Sequence, residues 1–164
     1  GCTGMSEAGA EERSAFRKSR EIPLSEGQTS ADFAASVVNV IAGPDADPSQ
    51  REALRASMAA IPSATYGDAL RCFTNPPEVF DFGELTVPVL LMTGEHDRLA
   101  PPAEIKGVAE RIWRASPWPD VRYEVILGAG HVCNLEKPSE YNVILGEFLS
   151  RLRLLHVRSE QADP

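Results

Sequence analysis

Two short motifs, Gly94-Glu95-His96-Asp97 and Gly128-Ala129-Gly130-His131, contain an acid and a histidine whose types suit proton transfer. Each closes a run that reads as a buried β-strand, so Asp97 and His131 fall at the same edge of a sheet. An imidazole can take the proton of a nucleophile and return it to a leaving group. A carboxylate facing its other ring nitrogen fixes the tautomer and stabilises the imidazolium that forms. Together they are the acid and base of a Ser-His-Asp type triad. The nucleophile has no matching motif, since neither Gly-x-Ser-x-Gly nor Gly-x-Cys-x-Gly occurs in the 164 residues. The chain therefore reads as the second half of a catalytic machine.

The elements that must position these residues lie around the motifs. Val87-Pro88-Val89-Leu90-Leu91-Met92-Thr93 is almost continuously apolar, as a parallel strand covered on both faces is. Pro88 sits near its start, where a missing backbone donor is tolerated, and Gly94 ends it. Pro101-Pro102 opens a helix running to about Arg114, with Ile105, Val108, Ala109 and Ile112 at helical spacing. A linker over residues 117–120 leads to a second strand, residues 121–127, which Gly128 and Gly130 break so as to present His131. A last helix starts near Pro138 and carries Tyr141, Ile144, Leu145, Phe148, Leu149 and Leu152 on one face. The strand–helix–strand–helix order predicts parallel strands with a right-handed crossover.

The run Leu85-Thr86-Val87-Pro88-Val89-Leu90-Leu91-Met92-Thr93-Gly94-Glu95-His96-Asp97, followed by Gly128-Ala129-Gly130-His131-Val132-Cys133-Asn134-Leu135-Glu136-Lys137-Pro138, resembles the C-terminal end of an α/β-hydrolase. The nearest branch is that of 3-oxoadipate enol-lactonases and carboxylesterase-like members, where the segment after the histidine often reads Asn-Leu-Glu-x-Pro. The resemblance covers about residues 85–150. In that family the triad follows the chain order nucleophile, acid, histidine, and both later members stand here in that order. It implies Asp97 as triad acid, His131 as general base, and no cofactor. It implies an α/β fold in which a helical cap precedes a parallel βαβα unit and the N-terminal half of the sheet is absent. The implied reaction is hydrolysis of a small carboxylic ester or lactone, with the serine and most of the oxyanion hole on the other half. The Asn-Leu-Glu-Lys-Pro segment also occurs in C–C hydrolase and perhydrolase-like relatives, so the substrate stays open.

Other residues fit blander roles. His96 adjoins Asp97, but successive residues in a turn point apart. His156 lies near the end of the last helix among Arg151, Arg153 and Arg158 and reads as solvated. Glu95 and Glu136 suit loop positioning through backbone hydrogen bonds rather than catalysis. A metal site from His96, Asp97 and His131 lacks any His-x-x-x-His or Cys-x-x-Cys spacing, so no metal is expected. Gly1-Cys2-Thr3-Gly4 superficially resembles a nucleophile elbow, but the strand that must precede one is missing. It reads instead as the tail of the sheet strand that leads into the cap.

Residues 1–80 carry helix signals and little strand signal, which the resemblance assigns to a cap. A charged helix runs from Ser6 to Arg20 and ends before Pro23. Thr29 and Ser30 cap a helix through Ala42 with Phe33, Val37, Val40 and Ile41 on its apolar face. Asp47 caps the next, with Pro48 at its first position and Leu54, Met58 and Ile61 buried. Ser63 starts a fourth through about Phe73. Caps of this kind wall the acyl or ring pocket, so Phe33, Met58, Tyr66 and Phe73 are candidate substrate contacts beside their plainer role in helix packing. The organisation expected is a cap over 1–80, the βαβα core over 81–156 and a frayed tail over 157–164.

At 43% hydrophobic and 24% charged residues the chain is globular, and its length suits one ordinary domain. The net charge of −8 argues against nucleic acid and anionic membrane as partners. Three cysteines at unpatterned spacing, Cys2, Cys72 and Cys133, point to a reduced, cytoplasmic setting. No segment reads as a signal peptide, and no apolar run is long enough to span a membrane. A start at Gly1 fits an expression remnant, a processed product or a gene model cut in the middle. Two buried-type parallel strands do not make a stable sheet, so the strand edge needs a missing N-terminal half or a second copy. Two functions follow: an esterase or lactonase of which this chain supplies acid and base, or a non-catalytic product whose cap and strand edge bind or self-assemble.

Overall fold

The computed structural model describes residues 8–75 and 81–162, with side chains described through residue 153. Cys2-Thr3-Gly4, residues 76–80 and the side chain of His156 lie outside that set. The chain runs α1 (Ala10–Ser25), α2 (Ser30–Ile41), α3 (Pro48–Ala59), α4 (Ser63–Thr74), a 3₁₀ turn (Phe82–Glu84), β1 (Val89–Gly94), α5 (Pro102–Ala115), β2 (Val121–Ile126), α6 (Cys133–Glu136) and α7 (Pro138–Ala162).

The four N-terminal helices pack as two pairs, α2 on α3 and α1 on α4. Local signals set their starts. At Thr29 the Asp32 carboxylate accepts from both the backbone N–H, at 2.7 Å, and the side-chain hydroxyl, at 2.9 Å. These bonds hold the Asp32 carboxyl below its ordinary range. Asp47 and Gln50 cap each other reciprocally at 2.9 and 3.0 Å, with Pro48 opening α3. The expectations for α1 and α2 are corrected. Helix α1 continues past Pro23 to Ser25. A proline's fixed φ is already helical, and in a final turn it forfeits only one hydrogen bond. That turn is closed by the Glu26 N–H on Ile22 O at 3.1 Å and the Gln28 N–H on Pro23 O at 3.0 Å, while the helix packs on α4 with Phe16 and Phe73 at 6.1 Å between ring centroids. On α2 the buried stripe is Phe33, Ala34 and Val38, while Val40 is 40% exposed.

β1 and β2 pair in parallel, Val89 opposite Val121 through Gly94 opposite Ile126. Pairing begins at Val89, two residues later than the apolar run, because Pro88 has no N–H to give; Val89 donates the first bond, to Asp120 O at 2.8 Å. Alternation then sorts the layers. Tyr123 sends its hydroxyl to Pro102 O of α5 at 2.7 Å, whereas Ile126, of opposite parity, packs with Ala129, Cys133, Tyr141 and Ile144. The Arg122 guanidinium, also of that parity, reaches Glu147 of α7 at 3.0 Å. Helix α5 thus covers one face and α7 the other. Among the described residues this sheet has two strands, and the apolar stretch Val89-Leu90-Leu91-Met92 is only half-buried.

Helix α7 runs through Ala162, past residue 157 where a tail is expected, since no glycine or proline interrupts residues 147–162. Phe148 is buried on it, but Leu149 is 54% exposed and lies off the packed stripe. No helix among the described residues is long and apolar enough to cross a membrane.

Candidate active site

β1 ends in a turn that buries an acid. The Asp97 N–H donates to Gly94 O at 3.1 Å, which folds the turn back on the strand end. Its side chain is 4% exposed. Oδ1 accepts the N–H groups of Leu99 and Ala100 at 2.8 and 2.9 Å, which anchors the segment leading into α5. The Thr93 hydroxyl, also buried, donates to Ala100 O at 2.8 Å and stands 3.4 Å from Asp97 Oδ2.

After β2, the turn needs glycine at Gly128, where φ is +71°. Pairing continues beyond the strands, with Glu95 N–H to Ile126 O and His96 N–H to Ala129 O, both at 2.9 Å. So close an approach excludes a side chain at Gly94, where a Cβ would overlap the carbonyl oxygens of Ala129 and Gly130. This zipping of the two loops sets His131 beside Asp97, with Nδ1 2.9 Å from Oδ2. The imidazole is 32% exposed. With Nδ1 engaged, Nε2 is the ring nitrogen left for a reacting group, and among the described residues no hydrogen bond reaches it. A buried carboxylate therefore orients a partly exposed imidazole, the arrangement a general base requires.

The two glutamates bond to loop backbone. Glu95 Oε2 accepts Gly128 N–H at 2.9 Å. Glu136, 5% exposed, accepts Gly130 N–H at 3.1 Å and Gly43 N–H at 2.8 Å. His96 lies 3.6 Å from Glu95 on the surface, and among the described residues no side-chain hydrogen bond or ion pair joins it to Asp97. Among the described residues no three His, Cys, Asp or Glu side chains converge as a metal site.

The four apolar candidates all sit in the helical layer. Phe33 stacks on Tyr66 at 5.8 Å, and the Arg20 guanidinium lies over Phe33 at 5.1 Å. Phe73 packs on Phe16, and Met58 is half-buried on α3. Each described aromatic contact of Phe33, Tyr66 and Phe73 is to another residue of that layer. From that layer Ile41 O accepts the His131 N–H at 2.7 Å. In sequence, Ile41 and Ala42 read only as the end of a helix with Ile41 on its apolar face, with nothing to mark residues 41–43 as neighbours of His131.

Comparison with solved structures accounts for this architecture. A thermophilic esterase from Thermogutta terrifontis is 22% identical with a TM-score of 0.75, the match covering 88% of this chain and 52% of that one. A hydrolase from Pseudomonas aeruginosa is 16% identical with a TM-score of 0.67, covering 87% and 51%. A bromoperoxidase from Bacillus anthracis is 20% identical with a TM-score of 0.58, covering 73% and 44%. No family model and no curated protein sequence matches the chain. The chain spans about half the length of the solved structures it matches, and its fold is that of the C-terminal half of an α/β-hydrolase.

Proposed function

We propose that this chain carries the acid and general base of a carboxylic ester or lactone hydrolase, with Asp97 orienting His131. The observation that carries the reading is the 2.9 Å contact between Asp97 Oδ2 and His131 Nδ1, with Nε2 left open. The esterase and hydrolase neighbours support the same class of chemistry. In the reaction, Nε2 of His131 takes the proton of a serine hydroxyl as the oxygen attacks the ester carbonyl. It then returns that proton to the leaving alkoxide, and water repeats the cycle to release the acid. Asp97 holds the ring in place through Nδ1 and stabilises the imidazolium. The serine belongs to a Gly-x-Ser-x-Gly turn outside these 164 residues.

The test is hydrolysis of p-nitrophenyl acetate by the purified chain, alone and mixed with a polypeptide that supplies the preceding strands and a Gly-x-Ser-x-Gly turn. The expected result is turnover in the mixture alone, abolished by His131→Ala. Turnover by the isolated chain that depends on His131 would instead place the nucleophile within it, Cys2 being the first to check. A mixture that forms a stable complex yet gains no rate would refute the catalytic reading.

One observation favours a second reading, in which the chain is a non-catalytic binding or assembly module. β1 has no strand on its second edge among the described residues, and its apolar side chains are half-buried. A second copy pairing there would give a dimer by sedimentation, with no need of the serine-bearing half.

A further inference from the structure

We propose that Glu136 is a positioning residue that couples the helical layer to the general base, through one carboxylate shared by Gly43 and Gly130. The inference rests on the reading of His131 as that base. Gly43 lies in the connector between α2 and α3, and Gly130 immediately precedes His131. Glu136 Oε2 accepts both N–H groups, from Gly43 at 2.8 Å and from Gly130 at 3.1 Å, and Oε1 shares the second at 3.1 Å. The residue is 5% exposed, and among the described ion pairs no cation meets it. Burying a carboxylate is costly unless hydrogen bonds satisfy it, and here the charge is held by two backbone amides. A chain that needed only packing at this position would be served by an apolar residue. The carboxylate keeps two buried donors from being left unpaired.

Independent contacts make the junction stiff. A Cβ on Gly43 would lie 2.5 Å from Gly130 N and 2.7 Å from Glu136 Oε2, so the two backbones are in direct contact. Ile41 O takes the His131 N–H at 2.7 Å. From α3, the Gln50 amide reaches Leu135 O and Glu136 O at 3.2 and 3.1 Å, and Arg51 donates to Gly43 O at 2.7 Å. A displacement of the α2–α3 connector therefore drags Gly130 and the backbone of His131 with it. The position of the ring against Asp97 depends on how the helical layer is seated, and whatever moves that layer retunes the base.

The experiment is NMR on the intact chain, comparing wild type with Glu136→Gln and with Lys137→Met. Lys137→Met removes the surface pair between Lys137 and Asp45 at 3.0 Å and a cation whose charge acts on Glu136 and Glu140, but leaves both Glu136 hydrogen bonds to Gly43 and Gly130 in place. A glutamine offers one acceptor and turns its amide donor toward an N–H. Glu136→Gln should therefore raise amide exchange at Gly43 and Gly130 together, by at least about tenfold. It should also shift or broaden the downfield proton shared by His131 Nδ1 and Asp97, whereas Lys137→Met leaves that proton unchanged. A folded Glu136→Gln chain that keeps the wild-type ring-proton signal would overturn the proposal. If that variant does not fold, wild type decides alone. Gly43 and Gly130 must then open with the same free energy and the same denaturant dependence, and unequal values refute the coupling. None of these readouts needs turnover, so a failed hydrolysis test and a failed coupling are told apart.

Discussion

Asp97 divides its carboxylate between two tasks: Oδ2 meets His131 Nδ1 at 2.9 Å, while Oδ1 holds the amides of Leu99 and Ala100 at 2.8 and 2.9 Å. Capping a turn and orienting a histidine are compatible tasks for one carboxylate in this geometry. Fixing Oδ1 in the turn is what aims Oδ2 at the ring.

Asp97→Asn separates the tasks. The amide oxygen can keep the Leu99 and Ala100 bonds, so thermal unfolding should stay close to wild type. The amide nitrogen then faces Nδ1 and forces that atom to accept, which moves the imidazole proton to Nε2, the wrong tautomer for a base. In the complemented assembly the expected loss of rate is about ten-thousand-fold. Asp97→Ala, by contrast, leaves two buried amides unpaired and should cost about 1–3 kcal/mol in a denaturant melt.

The strand–loop–strand–loop frame was legible because each part has its own local cause. Apolar runs, Pro88, Gly94 and Gly128 mark where β1 and β2 begin and end, and the caps at Thr29 and Asp47 mark α2 and α3. The junction between the helical layer and His131 was not legible. It depends on Gly43 and Gly130 meeting across nearly ninety residues of sequence, and nothing in the local pattern of either glycine encodes that encounter. Glu136 could be read as a residue that positions loops, but not which loops. The buried stripe of α2 was misjudged at Val40 for the same reason: periodicity admits neighbouring faces, and the packing of α3 selects one.

The glycines divide sharply in what they tolerate. Gly94→Ala drives a Cβ into the carbonyls of Ala129 and Gly130, both backbone, so the two loops must separate. A loss of about 1–3 kcal/mol or more is expected, with loss of the Asp97–His131 contact. Gly107 in α5 and Gly146 in α7 have nothing within 4 Å of an added Cβ. Alanine at either should instead stabilise, by about 0.5–1 kcal/mol, through helix propensity. Differential scanning calorimetry on the three variants reads both signs.

The thiols should differ in reactivity. Cys133 is buried, and burial pushes its thiol up, with the nearby charges of Asp97 and Glu136 adding to the rise. Cys72 is exposed. Because the thiolate is the reactive form, iodoacetamide near neutral pH should label Cys72 well before Cys133, as read by peptide mass mapping. Raising the pH should narrow the gap, since deprotonation of Cys133 is what lags. Equal labelling at neutral pH would mean that the loop after His131 is open.

The edge of β1 can be read amide by amide. Val89 and Glu95 both direct their N–H groups toward β2, to Asp120 O at 2.8 Å and Ile126 O at 2.9 Å. In a parallel ladder alternate residues bond to opposite sides, so Leu91 and Thr93 face β2 as well, and Leu90 and Met92 face the edge with no described strand. Hydrogen exchange on a monomeric chain should therefore protect Leu91 and Thr93 while Leu90 and Met92 exchange fast. Adding the serine-bearing half should protect Leu90 and Met92 without altering Leu91 and Thr93. If they are protected in the chain alone and the protection rises with its concentration, a second copy occupies the edge. Protection at high dilution, with a monomeric mass, would show that the chain covers its own edge and would remove the physical reason for a partner.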